Sequence, residues 1–413
     1  MRRTAHHELL ALGVLAAASA WLPWPSSAAP APRTAETGTG TETETASPPQ
    51  IRSKAQLDAY LHAHAGQPTP LDALPPGARE RFLDGLVFGS RGLAGFDTQD
   101  LAQLTHEQGR QLLALFGAER YADTLQPWAE QARAARADAQ IGDLERRYNR
   151  YNRTLTQERA TGDAWDHLRG DLPEAFDRTA IGRLPDDALA LLYRAIERAY
   201  AQAPTSEGLE LQLQALNALR HRGRADARQL DSAADALLLA HRYEDARRLL
   251  ATGGSSDWPR WLRFEDRLDG PAPGPTLWVA DASGTTLRRQ RIDLRPAQIL
   301  VTAGCHFSED AARAIAADPV LGPAFQRHAR WLALPPGAED MAALRAWNQA
   351  HPQTPLHPIY DRDEWRILPA WDMPTFYLVR DGKVLAQLKG WPADDRDQRQ
   401  QLAALLRGAG LLP

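Results

Sequence analysis

The sequence predicts an α-helical N-terminal domain followed by an α/β C-terminal domain, on three observations. The chain has 413 residues, enough for about two to three domains at roughly 150 residues each. From about 51 to 265, apolar residues recur at helical spacing between Pro and Gly stops. After the stiff Pro-rich stretch PAPGP at 271–275, the pattern changes to short apolar runs separated by hairpin turns. The helical domain is therefore drawn at 51–270 and the α/β domain at 275–413.

Composition narrows the function classes. Lys+Arg 48 against Asp+Glu 52 gives a net charge of −4, without the basic excess of a dedicated nucleic-acid binder, so no nucleic-acid partner is expected. Hydrophobic residues at 43% and charged residues at 24% are ordinary globular values and exclude a collagen-like or wholly disordered chain. The single cysteine excludes an intrachain disulfide and any multi-cysteine zinc or iron–sulfur cage within one chain.

The first 28 residues read as a secretory signal. Arg2 and Arg3 are followed by an apolar stretch from Leu9 to Leu22 and then by the small residues Ser26, Ser27, Ala28 and Ala29. That apolar run is shorter than the ~20 residues a bilayer-spanning helix needs, so removal is expected, with retention as an N-terminal anchor the competing reading. No later segment has the apolar length of a span, and the destination expected is periplasmic or secreted. Residues 29–50 are rich in Thr, Glu, Ala and Pro, carry no large apolar side chain, and read as a disordered linker.

Within the helical half, Leu57, Tyr60, Leu61 and His64 fall at helical spacing, as do Phe82, Leu83, Leu86 and Val87, and Thr105 precedes an apolar face of Leu112, Leu113 and Phe116. Segments 185–203 and 207–220 read as consecutive helices. Residues 230–251 look like one tetratricopeptide hairpin, without the repeated ~34-residue period of an array. The stretch 143–159, mixing Tyr with Arg and Asn, reads as a solvated helix face with tyrosines packed beneath it, or else as a nucleic-acid or glycan surface. His62 and His64 are two apart and so point in different directions on a helix, which is no metal arrangement.

In the second half, 277–280 and 285–294 read as strands joined by an Asp281–Gly284 turn, and Ile299 to Thr302 as a buried strand. Arg288, Arg289, Arg291 and Arg295 read as a solvated edge strand, or else as a surface that attracts an anionic partner. Cys305 stands where this buried strand turns into a helix. Free N–H groups and the dipole at a helix N-terminus favour a thiolate, the nucleophilic form of cysteine. His306 would add positive charge beside the sulfur and Ser308 a hydrogen bond to it. The competing reading is an inert buried cysteine. His351 and His357 with Cys305 make only scattered candidate ligands, and no metal or cofactor is expected.

The turn Cys305-His306-Phe307-Ser308 after a strand, then Asp372-Met373-Pro374-Thr375-Phe376 and the Asp381-Gly382-Lys383 hairpin, together resemble the thioredoxin-like superfamily, in particular its exported members. The resemblance covers about 275–413. It implies a thioredoxin fold, a cis-proline at Pro374 beside the reactive cysteine, and a substrate-facing surface drawn from Phe307, Met373, Thr375, Trp371 and Trp391. Three departures stand out. Gly304 stands where the family usually has an aromatic residue before the first cysteine. Ser308 occupies the place of the resolving cysteine, so internal release of a mixed disulfide is impossible. No carboxylate lies within 297–302, where thioredoxins keep a buried acid.

The function expected is therefore a monothiol thioredoxin-fold protein, a thiol-disulfide oxidoreductase or isomerase, acting on exported protein or small-molecule thiols and disulfides. Cys305 would be the nucleophile, with His306, Ser308 and Pro374 completing the site, and the helical domain would engage a protein partner. The alternative is a catalytically inactive scaffold for protein–protein interaction. A one-cysteine peroxidase, suggested by the Thr302-to-Cys305 spacing, ranks below both.

Overall fold

The computed structural model describes residues 22–23, 50–89, 92–130, 133, 140–157, 163–254, 262–268, 274–392 and 395–412. The expected signal and linker lie outside these residues, apart from 22–23 and Gln50, as do Trp258, Trp261 and 271–273. Among the described residues no helix is long and apolar enough to cross a membrane. The chain divides into two compact units between Ala203 and Pro204.

The first unit is helical: α1 (Lys54–Ala63), α2 (Pro76–Gly85), α3 (Thr98–Leu101), α4 (His106–Ala114), α5 (Asp143–Gln157), α6 (Ala164–Asp171), α7 (Arg178–Arg183) and α8 (Asp186–Gln202). Local chemistry sets the helix starts. The Ser53 hydroxyl accepts from the Gln56 N–H, and Thr105 and Gln108 form a reciprocal capping box. Leu57, Leu71, Phe82, Leu112 and Phe116 bury together beneath these helices. The apolar run of α2 continues in the sequence to Val87, but the helix stops at Gly85, where a Cβ would lie 2.3 Å from the Gly95 carbonyl oxygen. Val87–Gly89 instead pairs antiparallel with Gly92–Ala94, whose other edge meets Leu22–Pro23.

A buried ionic cluster holds this unit's helices together. The Asp100 carboxylate accepts from Arg81 (2.8 Å) and Arg194 (3.1 Å). Arg81 also donates to Glu145 (2.7 Å) and Asn149 (2.9 Å), and Arg194 to Asp97 (2.6 Å). On α5, Tyr148 and Tyr151 are fully buried, while Arg147, Arg150 and Arg153 pair with Glu174, Asp171 and Asp84. The Tyr-Arg-Asn stretch is thus a helix with an ion-paired surface and a packed tyrosine underside.

The second unit opens with α9 (Ser206–His221), α10 (Ala227–Leu239) and α11 (Tyr243–Leu250). A three-stranded mixed sheet follows, made of β1 (Arg263–Glu265), β2 (Thr276–Ala280) and β3 (Thr286–Arg291) in the order β1-β3-β2. Strand β3 is central, contrary to the edge strand expected of its arginines. Arg289 is buried, donates to Asp266 (2.9 Å), Glu364 (2.6 Å) and Thr276 (2.9 Å), and lies over the Tyr360 ring. Its charge is matched inside the fold, so the exposed edge that the sequence suggested is not needed.

The larger mixed sheet contains β4 (Gln298–Thr302), β5 (Ala329–Ala333), β6 (Leu356–Pro358), β7 (Thr375–Arg380) and β8 (Lys383–Lys389) in the order β8-β7-β4-β5-β6. β4, β5 and β6 run parallel, and β7 is antiparallel to both β4 and β8. Helices α12 (His306–Ala317), α13 (Leu321–His328), α14 (Met341–Ala350) and α15 (Arg396–Gly408) complete the unit. Alternation along the strands feeds two cores. Val301, Trp331 and Phe376 pack with Ala311 and Ile315 of α12, whereas Leu300, Leu332 and Tyr377 pack with Ile359 and Trp365. Every residue of β4 is buried, as expected of a central strand covered on both faces.

Candidate functional site

The site forms where β4 leaves the sheet. Thr302, the last residue of β4, pairs with Thr375 at the start of β7. Both hydroxyls donate to the Asp372 carbonyl, each at 2.7 Å. This shared acceptor fixes the loop in which the Met373–Pro374 bond is cis. Gly304 then turns the chain out of the sheet at φ +149°, a conformation open to glycine. Cys305, in extended conformation, is the N-cap of α12, and its carbonyl accepts from the N–H groups of Ser308 (2.8 Å) and Glu309 (3.2 Å).

The partly exposed Cys305 Sγ lies 3.4 Å from the Ser308 hydroxyl, and its S–H donates to the Met373 carbonyl at 3.5 Å. The two partners differ chemically. The Ser308 hydroxyl can turn its proton toward a thiolate, whereas the carbonyl can only accept and serves the protonated thiol. Ser308 itself is fully buried.

The structure thus brings Cys305, Ser308, Met373, Pro374 and Thr375 together. His306 is exposed and its ring lies 3.8 Å from that of Phe307, which is partly buried. Trp391 is 7% exposed and packs in the core against Phe376 at 5.8 Å. Trp371, half-buried, packs against the opposite core with Arg362 over its ring. Gly390, next to Trp391, donates its N–H to the Pro374 carbonyl at 2.7 Å.

One residue not singled out from the sequence enters the site from the loop between β5 and α14. A Cβ on Gly304 would lie 3.0 and 3.3 Å from the two carboxyl oxygens of Glu339 and 3.4 Å from Met373 Sδ. The glycine at 304 lets that carboxyl lie close against the backbone ahead of Cys305. Burial pushes Glu339 up to about 8, opposed by a bond from the Leu334 N–H and reinforced by Asp340. The loop is seated from behind: at Gly337 (φ +91°) a Cβ would fall 2.1 Å from the Asp235 carbonyl oxygen on α10 and 3.0 Å from Leu239.

No local signal in Pro335-Pro336-Gly337-Ala338-Glu339-Asp340 marks this acid, because its place depends on the packing of α10 and on a glycine thirty-five positions earlier. Elsewhere, His357 is held down to about 4, by burial first and by Arg330 second. Among the described residues no group of three or more His, Cys, Asp or Glu side chains is placed to hold a metal ion. Set beside family models, curated proteins and solved structures, the chain matches none of them.

Proposed function

We propose that this chain is an exported, monothiol thioredoxin-fold protein that acts on thiols or disulfides of exported proteins or small molecules through Cys305. The observation that carries the reading is the placement of its one cysteine: partly exposed, at the N-cap of a twelve-residue helix, with Sγ against Ser308 and the Met373 carbonyl. The order of β8-β7-β4-β5, with β7 antiparallel and the cysteine following the central strand, supports the thioredoxin-like assignment. Cys305 attacks a substrate disulfide, one substrate sulfur leaves as a thiol, and the mixed disulfide persists until an external thiol releases it. The helical N-terminal unit binds or positions a protein partner.

The second reading, a scaffold that has lost catalysis, is favoured by Ser308 in the resolving position and by the absence of a carboxylate in β4. The peroxidase reading is weakened by Thr302, which is fully buried and whose hydroxyl donates to Asp372 instead of the sulfur. Capture of mixed disulfides from periplasmic extract, with Cys305→Ala as control, separates the readings. The thiol enzyme yields partners lost in the variant; identical captured sets from both proteins overturn it.

A further inference from the structure

We propose that Glu339 is the acid–base group for sulfur exchange at Cys305. The inference rests on the thiol reading above and deepens it. Its basis is geometric: a carboxyl from a different loop lies against Gly304, the residue immediately before the nucleophile, 3.0 and 3.3 Å from where a Cβ would stand, beside the side chain of Met373, whose carbonyl meets Sγ. Nothing in β4 supplies such a group. The loop bearing Glu339 is itself locked by the close approach of Gly337 to α10, so the carboxyl is held by rigid backbone.

The cycle balances in two steps. In the first, the Cys305 thiolate forms a bond to one sulfur of the substrate disulfide, the substrate S–S bond breaks, and the departing sulfur keeps the electron pair and takes the proton of the Glu339 carboxyl. In the second, the Glu339 carboxylate removes the proton of the external thiol. That sulfur attacks the substrate sulfur of the mixed disulfide, and Cys305 leaves as thiolate. Net, a disulfide and a thiol exchange partners, with no other oxidant or reductant. Such transfer works across one hydrogen bond or one bridging water.

The first step needs a neutral acid near pH 7, which fits a carboxyl whose burial raises it to about 8. Other titratable groups on the surrounding elements include Asp340 on the same loop, exposed and capping α14; Asp235 on α10, half-buried; Asp372, exposed and paired with Lys389; His306, Glu309, Asp310 and Arg313 on α12, all exposed; and Arg345 on α14, exposed.

The test compares the wild-type chain, Glu339→Gln and Glu339→Asp in their reaction with two disulfides at pH 7. Glutathione disulfide leaves as an alkyl thiolate that needs a proton; 5,5′-dithiobis(2-nitrobenzoate) leaves as an aromatic thiolate that does not. The expected result is a loss of about 10²-fold with glutathione disulfide in Glu339→Gln, a much smaller loss with the aromatic disulfide, and partial recovery in Glu339→Asp. Equal losses with both disulfides, or none, overturn the role of Glu339. A wild-type protein that reacts with neither disulfide overturns instead the thiol reading on which it rests. Far-ultraviolet dichroism of the three proteins identifies any loss due to unfolding.

Discussion

Asp100→Ala tests how the helical unit holds together. The side chains of Asp100, Arg81 and Arg194 are 2%, 2% and 8% exposed, so removing the carboxylate leaves two buried guanidinium charges facing each other. Breaking a buried pair by deleting one partner costs about 3–5 kcal/mol. Arg81 retains Glu145 and Arg194 retains Asp97, which places the expected loss near the lower end, about 3 kcal/mol. With a urea dependence of about 2 kcal/mol per molar, the transition of this unit moves down by about 1.5 M.

The pH dependence carries a sign. Asp100 is held well below the ordinary carboxylate range because Arg194 and Arg81 outweigh the cost of its burial. A depressed folded-state value gives stability that is complete above the unfolded value of about 3.9 and drains away as pH falls from there through the folded value. Urea unfolding, with hydrogen exchange of α2, α3 and α8 to assign the transition, measures both effects. A midpoint within about 0.2 M of wild type refutes the reasoning, as does an unchanged acid dependence in Asp100→Asn.

Three further outcomes follow from the second unit. Gly304→Ala places a methyl against the Glu339 carboxyl at a backbone angle suited to glycine, and is expected to cost about 1–3 kcal/mol and to slow Cys305 alkylation; unchanged stability and rate would contradict the geometry. Gly337→Ala collides with the Asp235 carbonyl and is expected to slow exchange at Cys305 although it lies on the far side of the Glu339 loop; a wild-type rate in the folded variant would separate loop from site. His357, lowered to about 4, binds its proton more weakly in the folded chain than its ordinary value of about 6.5. The unfolded chain therefore takes up the proton first, so stability falls as pH drops from about 6.5 toward 4, and His357→Gln is expected to flatten that part of the urea-midpoint profile.

Local rules made much of this fold legible. The Thr105 cap, the Asp281–Gly284 turn and the Asp381–Gly382 hairpin, whose two residues both have positive φ, sit where their chemistry predicts. The uninterrupted apolar run of β4 announced a central strand, and the strand-to-helix corner at Cys305 followed from it. What stayed hidden depends on long-range packing. Arg289 belongs to a central strand because Asp266 and Glu364 meet it, and the sequence shows only a run of arginines. Helices α9–α11 share a compact unit with the sheets, where Tyr243 stacks on Phe264 and meets Trp278 edge-on. Trp391 packs in the core against Phe376 while its neighbour Gly390 donates its N–H to the Pro374 carbonyl, a placement that sequence proximity alone does not specify. Glu339 reaches the site through an absent Cβ, a signal that no single position carries.

The most direct measurement is the rate at which Cys305 forms an adduct with glutathione disulfide in the folded chain and in the same chain unfolded in urea, at one pH, read by intact mass. A sulfur presented at a helix N-terminus reacts faster folded than unfolded. A folded rate below the unfolded one, the behaviour of a shielded structural cysteine, would contradict the proposed thiol chemistry at this site.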